Sequence, residues 1–225
     1  MTHSRTVLVL GATGLVGRSL VNLLLREPSI LSVTAVVRRA ANLPSDPRLS
    51  VHLTDFEHLD DHADAFRVDQ VFCALGTTMR HAGTQERFRL VDHDYPLKAA
   101  QLSRAGGATH YLLISAIGAD PSSRIFYNRV KGETETDLTR LGFRSLTIAR
   151  PSLLVGPRGE VRLGERIGHL LGLLAPPSFR PIAAMDVAAA LTLAARDSRL
   201  GVCILMSKEM RGASMRLAKS LATIP

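Results

Sequence analysis

At 225 residues, with 46% apolar and 21% charged side chains and no Trp, the chain has the make-up of one ordinary soluble domain built from helices and aliphatic strands, not of an aromatic-rich β-sandwich. Its formal net charge of +8 draws anions such as phosphorylated ligands, but the basic residues are scattered, and without zinc-finger, basic-heptad or aromatic–basic patterns they argue against nucleic acid as a partner. Two cysteines, Cys73 and Cys203, exclude a disulfide framework and a CxxC site.

The elements alternate along the chain. TVLVL (6–10) is a strand closed by Gly11, and Leu15, Leu20 and Leu24 then begin an apolar helical stripe. VTAVV (33–37) is a second strand and LSVHL (49–53) a shorter third. A short helix with His58 and His62 follows; its i, i+4 histidines resemble a metal face, yet a solvated surface is the simpler reading. DHDY (92–95) is read in the same way. DQVFCAL (69–75) is a fourth strand, followed by a long helix from Thr84 to Ala105 that stops at Gly106-Gly107. HYLLIS (110–115) is a fifth strand, a helix from Ser122 to Leu141 carries Tyr127, and RSLTIA (144–149) is a sixth strand.

After Pro151 the pattern loosens into glycine, proline and apolar residues, with IGHLLGLLAPP (167–177) open to reading as core, lid or partner surface. MDVAAALTLAARD (185–197) is a helix that Asp186 is placed to cap, and GVCILM (201–206) is a last strand. Continuous apolar strands separated by helices imply a doubly wound, mostly parallel sheet, a Rossmann fold. The expectation is a single Rossmann domain over 1–225, with 151–182 as a small C-terminal segment covering the substrate.

Two stretches carry chemistry. Gly11, Gly14 and Gly17 lie between the first strand and the first helix. Glycines there permit a tight turn, close approach of a pyrophosphate to backbone, and close packing of helix on strand, while the helix N-terminus offers free N–H groups to the anion. Arg38 and Arg39 stand after the second strand, where a carboxylate would select NAD; arginine suits a 2′-phosphate and therefore NADP. The second stretch is FYNRVKGETE, where Lys131 follows Tyr127 by one helical turn. An ammonium there favours the phenolate, and a hydroxyl from Ser115, at the end of the fifth strand, could hold a substrate carbonyl against the tyrosine.

With GATGLVG, VVRR, VDHDYPLKAAQLSRAGGATHYLLISAIGAD, FYNRVKGETE, RPSLLVGPR and PIAAMDVAAAL in this order, the chain resembles the short-chain dehydrogenase/reductases, specifically the atypical NAD(P)H-binding branch that includes the Tat-interacting oxidoreductase-like proteins. The resemblance implies Ser115, Tyr127 and Lys131 as the catalytic set. It also implies Thr13, Gly14, Leu15 and Val16 at the pyrophosphate, Asp55 and Phe56 at the adenine, and Ala74, Leu75, Gly76 and Thr77 at the adenine-side ribose and phosphates. Lys131 would bond the nicotinamide ribose, with Pro151, Ser152 and Leu153 near the nicotinamide.

The expected function is NADP(H)-dependent oxidoreduction of a small carbonyl or alcohol. The alternatives are an NADPH-responsive protein-binding module with little turnover, and a nucleotide-sugar epimerase or dehydratase, which the short C-terminal part disfavours. Neither the protein partner nor the oligomeric state can be read from the sequence. The opening MTHSRTVLVLGATG shows no signal-peptide h-region, and no stretch reaches the roughly 18 apolar residues of a membrane span. The expected location is cytoplasmic.

Overall fold

A computed structural model describes residues 4–40, 42–156 and 179–223. Seven parallel strands make the main sheet: β1 (Arg5–Leu10), β2 (Ile30–Val37), β3 (Leu49–Leu53), β4 (Gln70–Cys73), β5 (His110–Ile114), β6 (Ser145–Arg150) and β9 (Gly201–Met206), in the order β3-β2-β1-β4-β5-β6-β9. A separate parallel pair joins β7 (Leu154–Val155) to β8 (Ile182–Ala183). The order reverses between β1 and β4, and the carboxyl ends of those two strands open the crevice in which doubly wound sheets bind ligands. Runs such as VLVL and HYLLI are buried on both faces. The two edge strands are unlike these: β3 and β9 have only one strand neighbour each, and much of each is exposed.

Helices α1 (Leu15–Leu24), α6 (Ala184–Asp197) and α8 (Ala213–Ala222) cover one face, where Leu20, Val21, Val187 and Leu191 meet Val7, Val9 and Leu112. The other face is covered by a 3-10 segment (Phe56–Phe66), α4 (Tyr95–Ala105) and α5 (Phe126–Arg140). The backbone leaves helical geometry at His58 and at His62, so the two do not sit one turn apart as they would on an α-helix, and His58 is exposed. No helix among the described residues is long and apolar enough to cross a membrane. Most of the loosened stretch after Pro151, including 167–177, lies outside the described residues.

The structure corrects three local expectations. Helix α5 begins at Phe126 rather than Ser122, because Asp120 turns the chain back by accepting from the N–H and hydroxyl of Ser122. Asp186 does not cap its own helix. It lies in the first turn of α6, past that helix's end, and reaches instead to α8, accepting from Gly212 N, Ser214 N and Ser214 Oγ at 3.1, 3.1 and 2.6 Å. Helix α8 needs this acceptor, since its own N-cap residue is Gly212 and has no side chain to offer one.

The third correction shapes the site. The helix begun at Thr84, whose hydroxyl accepts from Arg87 N, runs as α3 (Gln85–Arg89), a wide π turn (Leu90–Asp94) and α4. Pro96 has no N–H to give the carbonyl four residues back, that of Asp92, and its ring crowds that turn. Thr134 Oγ1 donates to the freed carbonyl at 3.0 Å. Asp92 and His93 are buried as a result, so the surface reading of DHDY fails.

At the opposite, amino edge of the sheet His110 is 1% exposed, with Nε2 2.9 Å from Thr147 Oγ1. Burial, helped by the Arg5 charge, pushes its pKa down from 6.5 to about 4. A histidine neutral in the fold but protonated when unfolded costs stability as pH falls from 6.5 towards 4. Wild type should therefore lose about 2–3 kcal/mol more than His110→Gln between neutral pH and the lower end of that window, as read by urea unfolding. Parallel losses in the two proteins would show that His110 is not the acid-sensitive group.

Candidate cofactor and proton-transfer site

The first crossover turn is shaped by its glycines. Gly11 adopts φ +75°, and a Cβ on it would stand 2.5 Å from Ala74 O. A Cβ on Gly17 would stand 2.0 Å from Gly11 O, so only hydrogen lets α1 pack this close to the turn. Gly14 is the N-cap, with no side chain bonded to the first-turn N–H groups of Leu15, Val16 and Gly17 and no acidic residue competing for that end. These features fit a diphosphate. Thr13 is exposed beside them, and Arg18 Nε donates to its carbonyl at 3.0 Å.

The β4 loop closes the other wall. Ala74 N donates to Leu10 O at 2.9 Å, and Ala74, Leu75 and Thr77 are half-buried with Gly76 exposed. The Cβ position of Gly76 is 3.4 Å from Asp92 Oδ1 and 3.9 Å from Lys131 Nζ. From the far side Gly156 approaches α1, its Cβ position 2.6 Å from Leu15 Cδ1. The glycine turn, the β4 loop and the chain just after Leu153 thus surround one crevice.

Tyr127 and Lys131 enter it from α5. Tyr127 is half-buried, its ring 5.4 Å from that of Phe88. Lys131 is 5% exposed, and its Nζ lies 2.7 Å from Asp92 Oδ1; Asp92, 1% exposed, also accepts from Thr77 N at 2.8 Å. Burial by itself would lower the pKa of Lys131, but Asp92 first and Tyr127 next pull harder the other way, and the net direction is upward. The ammonium therefore stays charged in a dry site. A single carboxylate, turned inward at the π turn, fixes both the lysine and the β4 loop.

Ser115 has a partner of its own. Its buried hydroxyl donates to Glu135 Oε1 at 2.5 Å, and Arg150 Nε and Nη2 hold the same carboxylate at 3.0 and 2.5 Å. Glu135 is eight residues beyond Tyr127 on α5, roughly 12 Å along its axis. Tyr127, Lys131 and Asp92 are brought together, while the Ser115 hydroxyl is engaged by Glu135, one turn beyond Lys131.

The remaining expected residues divide in the same manner. Arg38 and Arg39 are exposed directly after β2, with the Arg38 charge felt at the Tyr95 phenol alongside Glu57 and Asp55. Asp55 caps the 3-10 segment through Glu57 N, whereas Phe56 is core, its ring 5.4 Å from Tyr95. Pro151 and Ser152 are buried. Ser152 N donates to Ser207 Oγ and Ser152 Oγ to Arg180 O, which leaves half-buried Leu153 as the member of that trio nearest the open side. Sequence reading missed Asp92, Thr134, Glu135 and Arg150. Pro96 inside a helical run was the available signal for the first two.

The chain is similar to known proteins over most of its length. The model of a family described as NAD(P)H-binding matches residues 11–197. Protein HTATIP2 of Rattus norvegicus is 41% identical over 166 residues, 72% of this chain and 68% of the relative. Protein FMP52, mitochondrial, of Candida albicans is 33% identical over 192 residues, 80% and 82% of the two chains. Among solved structures, MoeE5 in complex with UDP-glucuronic acid and NAD superposes with TM-score 0.72 at 21% identity, over 89% of this chain and 75% of that one. A UDP-N-acetylglucosamine 4-epimerase from Methanobrevibacter ruminantium M1 gives 0.71 at 17% identity, over 91% and 77%. The two structures show the fold alone.

The fungal relatives, that of Saccharomyces cerevisiae included, are named mitochondrial, which overturns the expected cytoplasmic location. That expectation rested on a missing apolar h-region, whereas mitochondrial transit peptides are amphipathic and arginine-rich, so the criterion could not separate the two compartments.

Proposed function

Because the chain belongs to the NAD(P)H-binding family, we propose that it is an NADP(H)-dependent oxidoreductase interconverting a small carbonyl compound and its alcohol. The observation that carries this reading is Lys131, buried and charged against Asp92, one helical turn from a tyrosine whose hydroxyl has no protein partner among the described residues. The glycine turn, with Thr13, Leu15 and Val16, would hold the diphosphate. Arg38 and Arg39 would take the 2′-phosphate, with Asp55 at the adenine edge. Ala74 to Thr77 would line the ribose, and Leu153 and the rest of 151–182 would border the substrate.

The nicotinamide, when bound, supplies the hydride. The protein's share is the proton. In the reducing direction Tyr127 Oη–H is donated to the carbonyl oxygen, and the phenolate left behind is balanced by the Lys131 ammonium. Ser115 is a positioning residue in this reading, tying β5 to α5 through Glu135. Arg38→Ala combined with Arg39→Ala should weaken NADPH binding at least about tenfold more than NADH binding, the cost of losing one charge-assisted contact to the phosphate. Fluorescence titration measures both, and equal losses would remove the 2′-phosphate role.

One observation favours the second reading, an NADPH-responsive protein with little turnover: with Ser115 committed to Glu135, a substrate oxygen is one donor short. A panel of small aldehydes and ketones separates the two. Cofactor consumption supports the oxidoreductase, and tight binding without consumption supports the responsive protein.

A further inference from the structure

We propose that Arg129 is a specificity-determining residue that takes the carboxylate of a substrate whose carbonyl group lies at Tyr127. The proposal rests on the oxidoreductase reading above and names its substrate class, an ω-oxo carboxylic acid with an apolar middle. Other cations of this region are already paired: Lys131 with Asp92, Arg150 with Glu135 and Arg89 with Glu133. Arg129 has no acid among the described residues. Its Nη1 donates to the backbone carbonyl of Ser123 at 2.9 Å and, more weakly, to that of Arg124 at 3.5 Å. Its Cζ stands 5.7 Å from the centre of the Phe126 ring. Carbonyls and a ring face hold the guanidinium in place without neutralising it. Nε and Nη2, a planar fork that matches a carboxylate, have no partner among the described residues. The nearest acid before it, Asp120, is occupied by the N–H and hydroxyl of Ser122.

The geometry of α5 sets the length of the ligand. Side chains on a helix lean towards its N-terminus, and the carbonyls that hold Nη1 belong to the turn just before α5. The guanidinium therefore lies at the end of the helix where Tyr127 occupies the first turn. Residues two apart are about 200° apart around a helix, so Tyr127 and Arg129 look out on opposite sides of that end. A molecule that touches both crosses the N-cap residue Ile125, whose side chain is 63% exposed. Methylenes laid over Ile125 leave water on both partners. Spanning a helix end about 10 Å wide takes a chain of roughly eight carbons.

Calorimetric titration of the protein in excess NADPH with alcohols, where no hydride can move, reads this contact apart from turnover. At low salt ω-hydroxyoctanoate should bind about tenfold more tightly than its methyl ester, the worth of one charge-assisted contact. Arg129→Gln should abolish that preference and leave the ester's affinity unchanged. Arg87→Gln, which removes an exposed charge from neighbouring α3, should preserve it. A circular-dichroism melt checks folding. If Arg129→Gln does not fold, wild type decides by length, because ω-hydroxypropanoate is too short to span and should bind no better than its ester. Equal binding of the octanoate and its ester, no binding of either, a preference that survives Arg129→Gln, or one as large for the propanoate would each overturn the inference. Oxidation of ω-hydroxyoctanoate with NADP tests the reading beneath it. A preference for the acid without oxidation would keep the Arg129 contact and remove the oxidoreductase.

Discussion

Replacing Asp92 by alanine is expected to be the most damaging single change, costing about 3–5 kcal/mol in urea unfolding. Breaking a buried pair costs far more than the pair contributes, because the remaining charge stays in a dry site without a counter-charge. Here the remaining charge is Lys131, 5% exposed, and Thr77 N loses its acceptor as well. Asp92→Asn separates the two losses. Asparagine can still accept from Thr77 N, but it leaves burial to pull the Lys131 pKa below its ordinary value of 10.5 instead of above it.

The sign of the pH dependence then reverses. In wild type the lysine's contribution is fully present below its unfolded pKa and is lost only above it. In the asparagine variant the unfolded chain binds more protons, so stability should rise as pH climbs from neutral towards 10.5. Urea unfolding at several pH values across that range measures this. A deficit that stays constant with pH would show that Lys131 finds another anion and that Asp92 is not its sole support.

Tyr127→Phe is the second large effect, on rate rather than stability. If the chain reduces carbonyls, turnover should fall by roughly 10²–10⁴, the usual contribution of a positioned acid–base group. Phenylalanine keeps the ring contact with Phe88, so the melting temperature and the NADPH titration should hardly move. Ser115→Ala provides the contrast. With Arg150 still on Glu135, it should cost about 1–3 kcal/mol of stability, while turnover per folded molecule falls much less than in Tyr127→Phe. Equal losses of turnover in the two variants would return Ser115 to the substrate; activity surviving in Tyr127→Phe would remove the tyrosine from the chemistry.

Much of this protein was legible before folding because it is local. The apolar runs at 6–10, 33–37, 110–115 and 144–149 specify buried strands by composition alone, and the helical stripes between them force parallel crossovers, hence the doubly wound sheet. The glycines at 11, 14 and 17 were readable for a similar reason, since a turn of that spacing needs no distant residue to define it. Tyr127 and Lys131 belong to one helix turn, and their adjacency is a matter of pitch.

Tertiary structure decided whatever depends on where a side chain meets another element. Ser115 has the right distance in sequence from Tyr127, yet its hydroxyl goes to Glu135, two turns further along α5. Asp186 looked like a cap and is one, but for a helix that arrives 26 residues later. Asp92 looked like a surface carboxylate until Pro96 opened the helix and turned it onto Lys131. A residue's type and its neighbours in sequence determine which backbone it favours. The partner a buried polar group finds is set by packing between elements, which sequence spacing does not measure.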